Sequence, residues 1–172
     1  MVEVTIDSIR VSLMSQHRVV ILKDVDSDRY LPIWIGPCEA DAITVALQEV
    51  EVARPLTLDL MRSMLGELSA DVVQINIHDL RDDVFFAQIV LNFGGKQLEI
   101  DSRPSDALGL AVRVHAPVFV DESVMEKASV LPDEDAEAEA AGEGDDRLSV
   151  FKDFVDSLDL DDMEPGEGEE NK

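Results

Sequence analysis

The polar side chains of a strand-to-helix corner, residues 100–107 (IDSRPSDA), are the first candidates for chemistry. Asp101, Arg103, Ser105 and Asp106 crowd this corner, which is more polar groups than one helix cap requires. An arginine beside the exposed amides of a helix N-terminus can hold a phosphate, while either aspartate can hold a divalent cation. An arginine with two carboxylates is equally typical of a structural clamp. The corner therefore predicts either an anion and metal site, with Ser105 as a substrate contact, or a clamp.

Two further clusters of charged residues stand at predicted helix starts. In GPCEADA, Glu39 falls in a first helical turn, where an acid either caps the helix or contributes a carboxylate to a metal or acid/base site. In RPLTLDL, Arg54 and Asp59 flank Thr57, a candidate N-cap and substrate contact. Capping and a surface ion pair explain this second cluster as well as catalysis does.

Phosphodiester hydrolysis is the reaction that such clusters would serve. It commonly needs carboxylates that hold Mg²⁺ or Mn²⁺ and a cation near the leaving oxygen. The three histidines fall in separate places, and no phosphate loop, nucleophile elbow or zinc pattern occurs, which excludes the commoner hydrolases and nucleotide binders. The predicted metal ligands are Glu39, Asp101 and Asp106, and the predicted catalytic residues are Arg54, Asp59, Asp101, Arg103 and Asp106.

Hydrophobic periodicity predicts the elements that position these residues. Alternation predicts strands and a spacing of three to four predicts helices. The first strand shifts its alternation by one residue after Ile6, as a β-bulge would. The predicted strands are 2–14, 17–25, 29–35, 72–80, 84–93, 96–100 and 117–120, and the predicted helices are 38–50, a short one from Thr57, and 104–114.

The order of these elements repeats, which predicts an internal duplication of three strands and a helix. The two strand-to-helix junctions align at an offset of 65, which places Ile35 on Ile100 and Asp41 on Asp106. The predicted fold is α+β, with a duplicated meander plus helix that forms a mixed, largely antiparallel sheet or half-barrel with packed helices.

Composition divides the chain at the end of residues 1–128, the predicted domain. Residues 129–146 are acidic and poor in apolar side chains, as in a flexible linker, and 164–172 resemble a disordered tail. Between them, residues 147–163 carry Phe154 and Leu158 on one helical face. This predicted amphipathic helix could pack on its own domain, dock on a protein partner or stay free.

The charge of the chain opposes, but does not exclude, a nucleic-acid partner. The net charge is −24; residues 1–128 hold 21 acidic and 11 basic residues, and the remainder holds 17 and 3. Such a field repels polyanions at long range. The single cysteine, Cys38, excludes an internal disulfide, and no apolar run is long enough to span a membrane. Without a signal-peptide pattern at the N-terminus, the predicted location is the cytoplasm.

Four ordered blocks, LPIWIGPCEADAI, RPLTLDL, DDVFFAQI and IDSRPSDALGLAVR, resemble the bifunctional nuclease family. The resemblance covers about residues 1–128. It implies a compact α+β domain, commonly a homodimer, with nuclease activity toward RNA and DNA. The segment FKDFVDSLDLDDM is similar to a short C-terminal segment of family members and, more loosely, to the UVR interaction motif, which implies a protein partner.

Two positions depart from the family pattern, which commonly has His where this chain has Leu58 and Tyr where it has Phe86. If either side chain is catalytic in the family, this chain should be impaired. If the essential groups are the predicted catalytic residues above, activity should be intact. The resulting function prediction is a metal-assisted nuclease, and its alternative is a non-catalytic protein-binding or regulatory module.

Overall fold

The computed structural model describes residues 1–11 and 18–131, which form seven strands and four helices. The predictions for residues 12–14, for residue 17 and for the chain beyond Leu131 lie outside the described residues. The strands are β1 Val2–Val11, β2 Arg18–Asp24, β3 Tyr30–Ile35, β4 Ala70–Arg81, β5 Val84–Phe93, β6 Lys96–Ser102 and β7 Val118–Val120. The helices are α1 Pro37–Leu47, α2 Thr57–Glu67, α3 Pro104–Val114 and α4 Glu122–Ala128.

The strands form one mixed sheet in the order β3-β2-β1-β7-β4-β5-β6. Each half is an antiparallel meander, and β7 joins the two because it pairs antiparallel with β1 and parallel with β4. The sheet curls into a half-barrel, so that Trp34 of edge strand β3 and Arg103, directly after edge strand β6, line the same cavity. The α+β fold with two joined meanders is therefore as predicted.

The strand patterns follow from which side chains reach the core. In β1 the pairing with β2 shifts between Ile6 and Ser8, which confirms the predicted bulge. Leu22 and Leu31 are fully buried on β2 and β3, as are Ile75 and Ile77 on β4. The helices cover this face of the sheet with Ile43, Leu108, Leu110 and Met125.

The two halves correspond at a different offset from the one that the sequence alignment predicts. Helix α1 begins at Pro37 and α3 at Pro104, so equivalent helical positions differ by 67 residues rather than 65. The reason is that β3 ends at Ile35, whereas β6 continues for two residues beyond Ile100, to Ser102, before the chain turns. Glu39 and Asp106 are then equivalent, and each occupies the third position of its helix.

The sequence patterns miss helix α4, which is only seven residues long. Its start is marked by Asp121, whose carboxylate accepts a hydrogen bond from the Ser123 amide at 2.9 Å. After it, Val130 exchanges two backbone hydrogen bonds with Tyr30, at 2.7 and 2.8 Å. Residues 129–131 therefore lie along the β3 edge of the sheet.

None of the helices among the described residues has the length and apolar character needed to cross a bilayer.

Candidate functional site

The N-termini of α1 and α3 bring three predicted site residues together around one guanidinium. Arg103, the N-cap residue of α3, binds Asp106 in a bidentate manner, with Nε to Oδ2 at 2.7 Å and Nη2 to Oδ1 at 3.0 Å. Its Nη1 lies 2.9 Å from Oε1 of Glu39 on α1. Two of the three predicted clusters thus meet. Arg103 is also 65% exposed, so the group is accessible and is not a buried clamp.

The electrostatics of this group keep Arg103 cationic. Its pKa is raised above its ordinary value, first by the hydrogen bond and charge of Asp106 and then by Glu39. Arg103 therefore cannot exchange a proton near neutral pH and can act only through its charge and its N–H groups. A guanidinium has five N–H donors, and the contacts with Glu39 and Asp106 occupy three nitrogen positions, so N–H groups on Nη1 and Nη2 remain for another acceptor.

A cavity of about 310 Å³ opens beside this group. Its polar lining includes Asp83, Arg103 and Ser105, and its apolar lining includes Trp34 and Phe85. Ser105 is 7% exposed, in the first turn of α3. Asp83 reaches the cavity because both residues of the β4–β5 turn have positive φ, 48° at Asp82 and 62° at Asp83, as in a tight hairpin turn.

Gly36 supports the geometry of the Glu39 side chain. The Glu39 carboxylate folds back over Gly36, where a Cβ atom would lie only 2.2 Å from Oε2. The backbone angles of Gly36 are extended, at φ −68° and ψ 155°, and are open to any residue. A side chain at position 36 would therefore act by displacing the carboxylate from Arg103, without straining the backbone.

The predicted cluster on α2 belongs to a separate clamp. Asp59 Oδ1 accepts from Nε of Arg113 at 2.6 Å, and Oδ2 accepts from the Leu56 amide at 2.8 Å. These bonds hold the pKa of Asp59 below its ordinary value, that from Arg113 having the larger effect. Thr57 is the first helical residue, and Leu56 is the N-cap, so the prediction that Thr57 caps α2 is wrong. The Asp59 carboxylate caps α2 instead of Thr57, because it accepts a hydrogen bond from the backbone amide of Leu56, the residue before the helix.

Arg113 is the residue of this clamp that the sequence patterns miss. Its side chain is only 4% exposed, and its two terminal nitrogens donate to the carbonyl oxygens of Gly109 at 2.8 Å and Ala42 at 3.0 Å. With Asp59 on α2, it ties all three of the larger helices together. In the sequence it looks like an ordinary basic residue near a helix C-terminus, and only a long-range contact shows its role.

The remaining candidates lie on exposed surface. Arg54 and Thr57 are exposed, and their side chains make no hydrogen bond or ion pair within residues 1–11 and 18–131. Asp101, exposed on β6, lies opposite Gln88 of β5 and takes no part in the Arg103 ion pairs. The structure therefore brings Glu39, Arg103, Ser105 and Asp106 to one place and leaves Arg54, Thr57, Asp59 and Asp101 outside it.

The residues present do not form a ready metal site. Across the described part of the chain, no group of three or more His, Cys, Asp or Glu side chains is placed to hold a metal ion. Of the predicted ligands, Glu39 and Asp106 bind Arg103, and Asp101 is not part of their group. A divalent cation would compete with the guanidinium for both carboxylates.

Comparison with known proteins identifies the family to which this chain belongs. A family model described as the bifunctional nuclease domain matches residues 20–133, a range that includes both walls of the cavity. The chain belongs to the bifunctional nuclease domain family. An uncharacterized protein of Mycobacterium tuberculosis (strain ATCC 25618 / H37Rv) is 38% identical over 162 residues, which cover 94% of this chain and 97% of that protein.

Plant members of the bifunctional nuclease family are more distant. Bifunctional nuclease 2 of Oryza sativa subsp. japonica is 28% identical over 145 residues, which cover 82% of this chain and 45% of that protein. Bifunctional nuclease 1 of Arabidopsis thaliana is 29% identical over 108 residues, which cover 60% and 33%. The alignments with these two plant proteins thus span less than half of the length of either.

The two departures from the bifunctional nuclease pattern lie away from the cavity lining. Leu58 is 9% exposed and packs against Gly109 of α3, where a Cβ atom would lie 2.5 Å from Leu58 Cδ1. Phe86 is absent from the cavity lining, and the guanidinium carbon of Arg81 lies over its ring, 4.8 Å from the ring centre. Neither residue contacts the Arg103 group.

Proposed function

We propose that this protein is a nuclease that hydrolyses phosphodiester bonds of RNA and DNA in the cleft beside Arg103. The observation that carries the proposal is that the domain matched by the nuclease family model holds an exposed cation at a cavity that is open to substrate. Relatives that are named bifunctional nucleases, at 28% and 29% identity, support the activity.

Arg103 has the properties of a group that stabilises phosphate charge. It is cationic at all relevant pH values, and the two carboxylates that bind it fix the direction of its remaining N–H groups. Donors that are held in place before the reaction lower the barrier where negative charge develops on a phosphoryl oxygen. Glu39 and Asp106 are then positioning residues, while Ser105, which lines the same cavity, is the proposed substrate contact.

The metal requirement is part of the proposal that the experiment must decide. Nucleases commonly use Mg²⁺ or Mn²⁺, and Mg²⁺ is often held by one or two carboxylates together with water and substrate phosphate. Asp83, at the cavity, adds a carboxylate that the sequence patterns did not single out. Glu39 and Asp106 would first have to release Arg103, so no catalytic step is assigned to a metal.

The test uses the full chain, labelled single-stranded RNA and DNA, a titration of Mg²⁺ and Mn²⁺, and a chelator. We expect cleavage by the wild type and a loss of about 100-fold in kcat/KM for Arg103→Ala, the size typical for removal of one charge-stabilising donor. Asp101→Asn and Arg54→Ala test the outlying candidates in the same assay. Arg10→Ala, an exposed arginine on β1, is the matched control and should cleave as wild type does.

Two results would contradict the proposal. Cleavage that Arg103→Ala leaves unchanged would remove the cleft from the mechanism, and a loss confined to Arg54→Ala would move the site to the start of α2. Traces that persist in every variant and in the chelator would identify a contaminating nuclease.

A second candidate function, a non-catalytic protein-binding module, is supported by one surface. Helix α2 exposes an apolar stripe at a spacing of four residues: Leu56 (38%), Leu60 (55%), Met64 (56%) and Leu68 (60%). A stripe on a single helix can pair with its own copy across a two-fold axis, so the proposed partner is a second copy of this chain. The predicted partner segment, residues 147–163, lies outside the described residues.

The homodimer is tested by light scattering of the full chain. We expect the mass of a dimer for the wild type and of a monomer for the double variant L60D/M64D, because charged residues in a desolvated apolar contact are costly. The control is a double variant on the exposed turn, D26N/D28N. A wild type that stays monomeric at all concentrations, or a dimer that survives L60D/M64D, would contradict this surface.

A further inference from the structure

The two hairpin turns of the sheet have the same length but different residues. Asp82 and Asp83 join β4 to β5 with φ angles of 48° and 62°, and Gly94 and Gly95 join β5 to β6 with φ angles of 58° and 77°. Aspartate tolerates the left-handed region better than most residues do, but glycine enters it without steric cost. The fold meets this requirement with glycine in the second turn, so turn formation does not require aspartate in the first.

Asp83 is the residue of its turn that lines the cavity beside Arg103. Among the described residues it is the one carboxylate of the lining, since Glu39 and Asp106 bind Arg103 from outside the lining. The Asp83 side chain is exposed and makes no hydrogen bond or ion pair within residues 1–11 and 18–131. The fold therefore presents to the cavity a carboxylate whose oxygens it does not use itself.

A carboxylate and a guanidinium in one cavity match two requirements of phosphodiester hydrolysis. The guanidinium of Arg103 stabilises negative charge on phosphoryl oxygens, and a carboxylate can accept a proton from an attacking water. The cavity of about 310 Å³ has the volume of about ten water molecules at roughly 30 Å³ each. A phosphodiester group and its attacking water fill much of that volume, so they lie close to both walls.

We propose that Asp83 is the general base that accepts a proton from the water that attacks the phosphorus. The inference rests on the proposed function, because it needs a phosphodiester group at Arg103. A bond forms between the water oxygen and phosphorus while one proton of the water moves to the Asp83 carboxylate. The bond from phosphorus to the leaving oxygen breaks, and that oxygen takes a proton from solvent. Asp83 then releases its proton to solvent, which restores the carboxylate.

Replacement of Asp83 by glycine should separate activity from stability. Asp83→Gly removes the carboxylate and the steric cost of a positive φ, so the melting temperature should not fall below that of wild type. Its kcat on a labelled single strand should fall about 100-fold, the lower end of the usual contribution of a positioned base. Asp82→Gly makes the same change at the neighbouring turn residue, which is not in the lining, and should keep the wild-type kcat.

Asp83→Asn tests the charge while keeping the size of the side chain. We expect an equal loss of kcat, whereas the affinity for an oligonucleotide, measured by anisotropy in EDTA, should be unchanged or higher, because a carboxylate repels phosphate. Arg103→Ala should instead lower both kcat and affinity, because it removes a cation. Asp83→Glu returns a carboxylate one methylene farther from the backbone and should recover part of the kcat.

Four outcomes would overturn the assignment of Asp83. Wild-type kcat in Asp83→Asn would remove Asp83 and leave the nuclease standing. A loss of kcat that excess Mg²⁺ or Mn²⁺ restores would make Asp83 a metal ligand instead of a base. A fall of both melting temperature and kcat in Asp83→Gly, with Asp82→Gly unchanged, would make it a structural residue of the turn. Absence of cleavage by the wild type under every metal condition would overturn the proposed function itself, and the general base with it.

Discussion

Arg113→Ala should destabilise the protein by about 3 kcal/mol, the lower end of the range for breaking a buried charge pair, because Arg113 is 4% exposed but Asp59 is 30% exposed. The loss would leave Asp59 without its 2.6 Å partner and would remove the side-chain hydrogen bonds to the carbonyl oxygens of Gly109 and Ala42. Since whole domains are stable by only about 5 to 15 kcal/mol, this is a large fraction of the total. Denaturant unfolding of the full chain, followed by circular dichroism, measures it.

Two further variants keep this prediction testable if Arg113→Ala does not fold. Arg113→Lys retains the charge but not the three-way geometry, and should lie between wild type and Arg113→Ala. Arg54→Ala, which removes an exposed arginine, should stay within about 0.5 kcal/mol of wild type. An Arg113→Ala protein as stable as Arg54→Ala would refute the clamp.

The same clamp decides the role of Asp59, which the sequence predicts to be catalytic. In a double-mutant cycle, Asp59→Asn and Arg113→Ala should not be additive, because each removes the same interaction. If Asp59 is structural, Asp59→Asn lowers the stability but leaves the activity per folded molecule unchanged. A loss of activity without a loss of stability would return Asp59 to the catalytic residues.

Asp24→Asn should destabilise the protein by about 3 kcal/mol at pH 7. The Asp24 side chain is 2% exposed at the end of β2, where it accepts from the Asp26 amide at 2.9 Å and from Ser27 Oγ at 2.6 Å, both in the turn that follows. It also binds Arg29 at 2.9 Å, and Arg29 continues to Glu122 of α4 at 2.6 Å. The carboxylate thus holds the turn and, through Arg29, the last helix.

The destabilisation caused by Asp24→Asn should become smaller as the pH falls. Burial raises the pKa of Asp24, but the hydrogen bonds from Ser27, the Asp26 amide and Arg29 outweigh it, so the pKa lies below the ordinary value of 3.8. The stabilisation is therefore complete above pH 3.8 and is lost as the pH falls through the folded-state pKa. The difference in the free energy of unfolding between wild type and Asp24→Asn should therefore decrease in unfolding curves measured from pH 7 down to pH 2.5.

The control for Asp24 is Asp26→Asn, an exposed carboxylate in the same turn. It should unfold as wild type does at every pH. A constant difference between wild type and Asp24→Asn across the range would show that the side chain contributes through its shape and hydrogen bonds alone, and would contradict a charge-based role.

The fold was predictable where the signal is local. Alternation in β1 reveals even its bulge, because burial of one sheet face imposes a period of two, and the proline-started helices follow from Pro37 and Pro104. Helix α4 was missed because seven residues are too few to show a period. The predicted repeat offset is wrong by two residues because the alignment matched two identical residues, Asp41 and Asp106. The helices instead place Glu39 and Asp106 at equivalent positions.

The candidate site was predictable in part for the same reason. Arg103 and Asp106 are three residues apart, so their ion pair is local, and it was expected. The contact of Arg103 with Glu39 and that of Asp59 with Arg113 join residues more than fifty positions apart, and no spacing rule reports them.

The three residues of β7 have a consequence for how the protein is made. A ribosome releases the amino-terminal meander first, yet Val2 and Val4 find their β7 partners only when Val120 and Val118 have emerged. Until then one side of β1 offers unpaired backbone groups to water or to any nascent chain nearby. If synthesis pauses before residue 118, the edge of β1 stays unpaired and can aggregate with other chains. Pairing with the three residues of β7 removes that exposed edge.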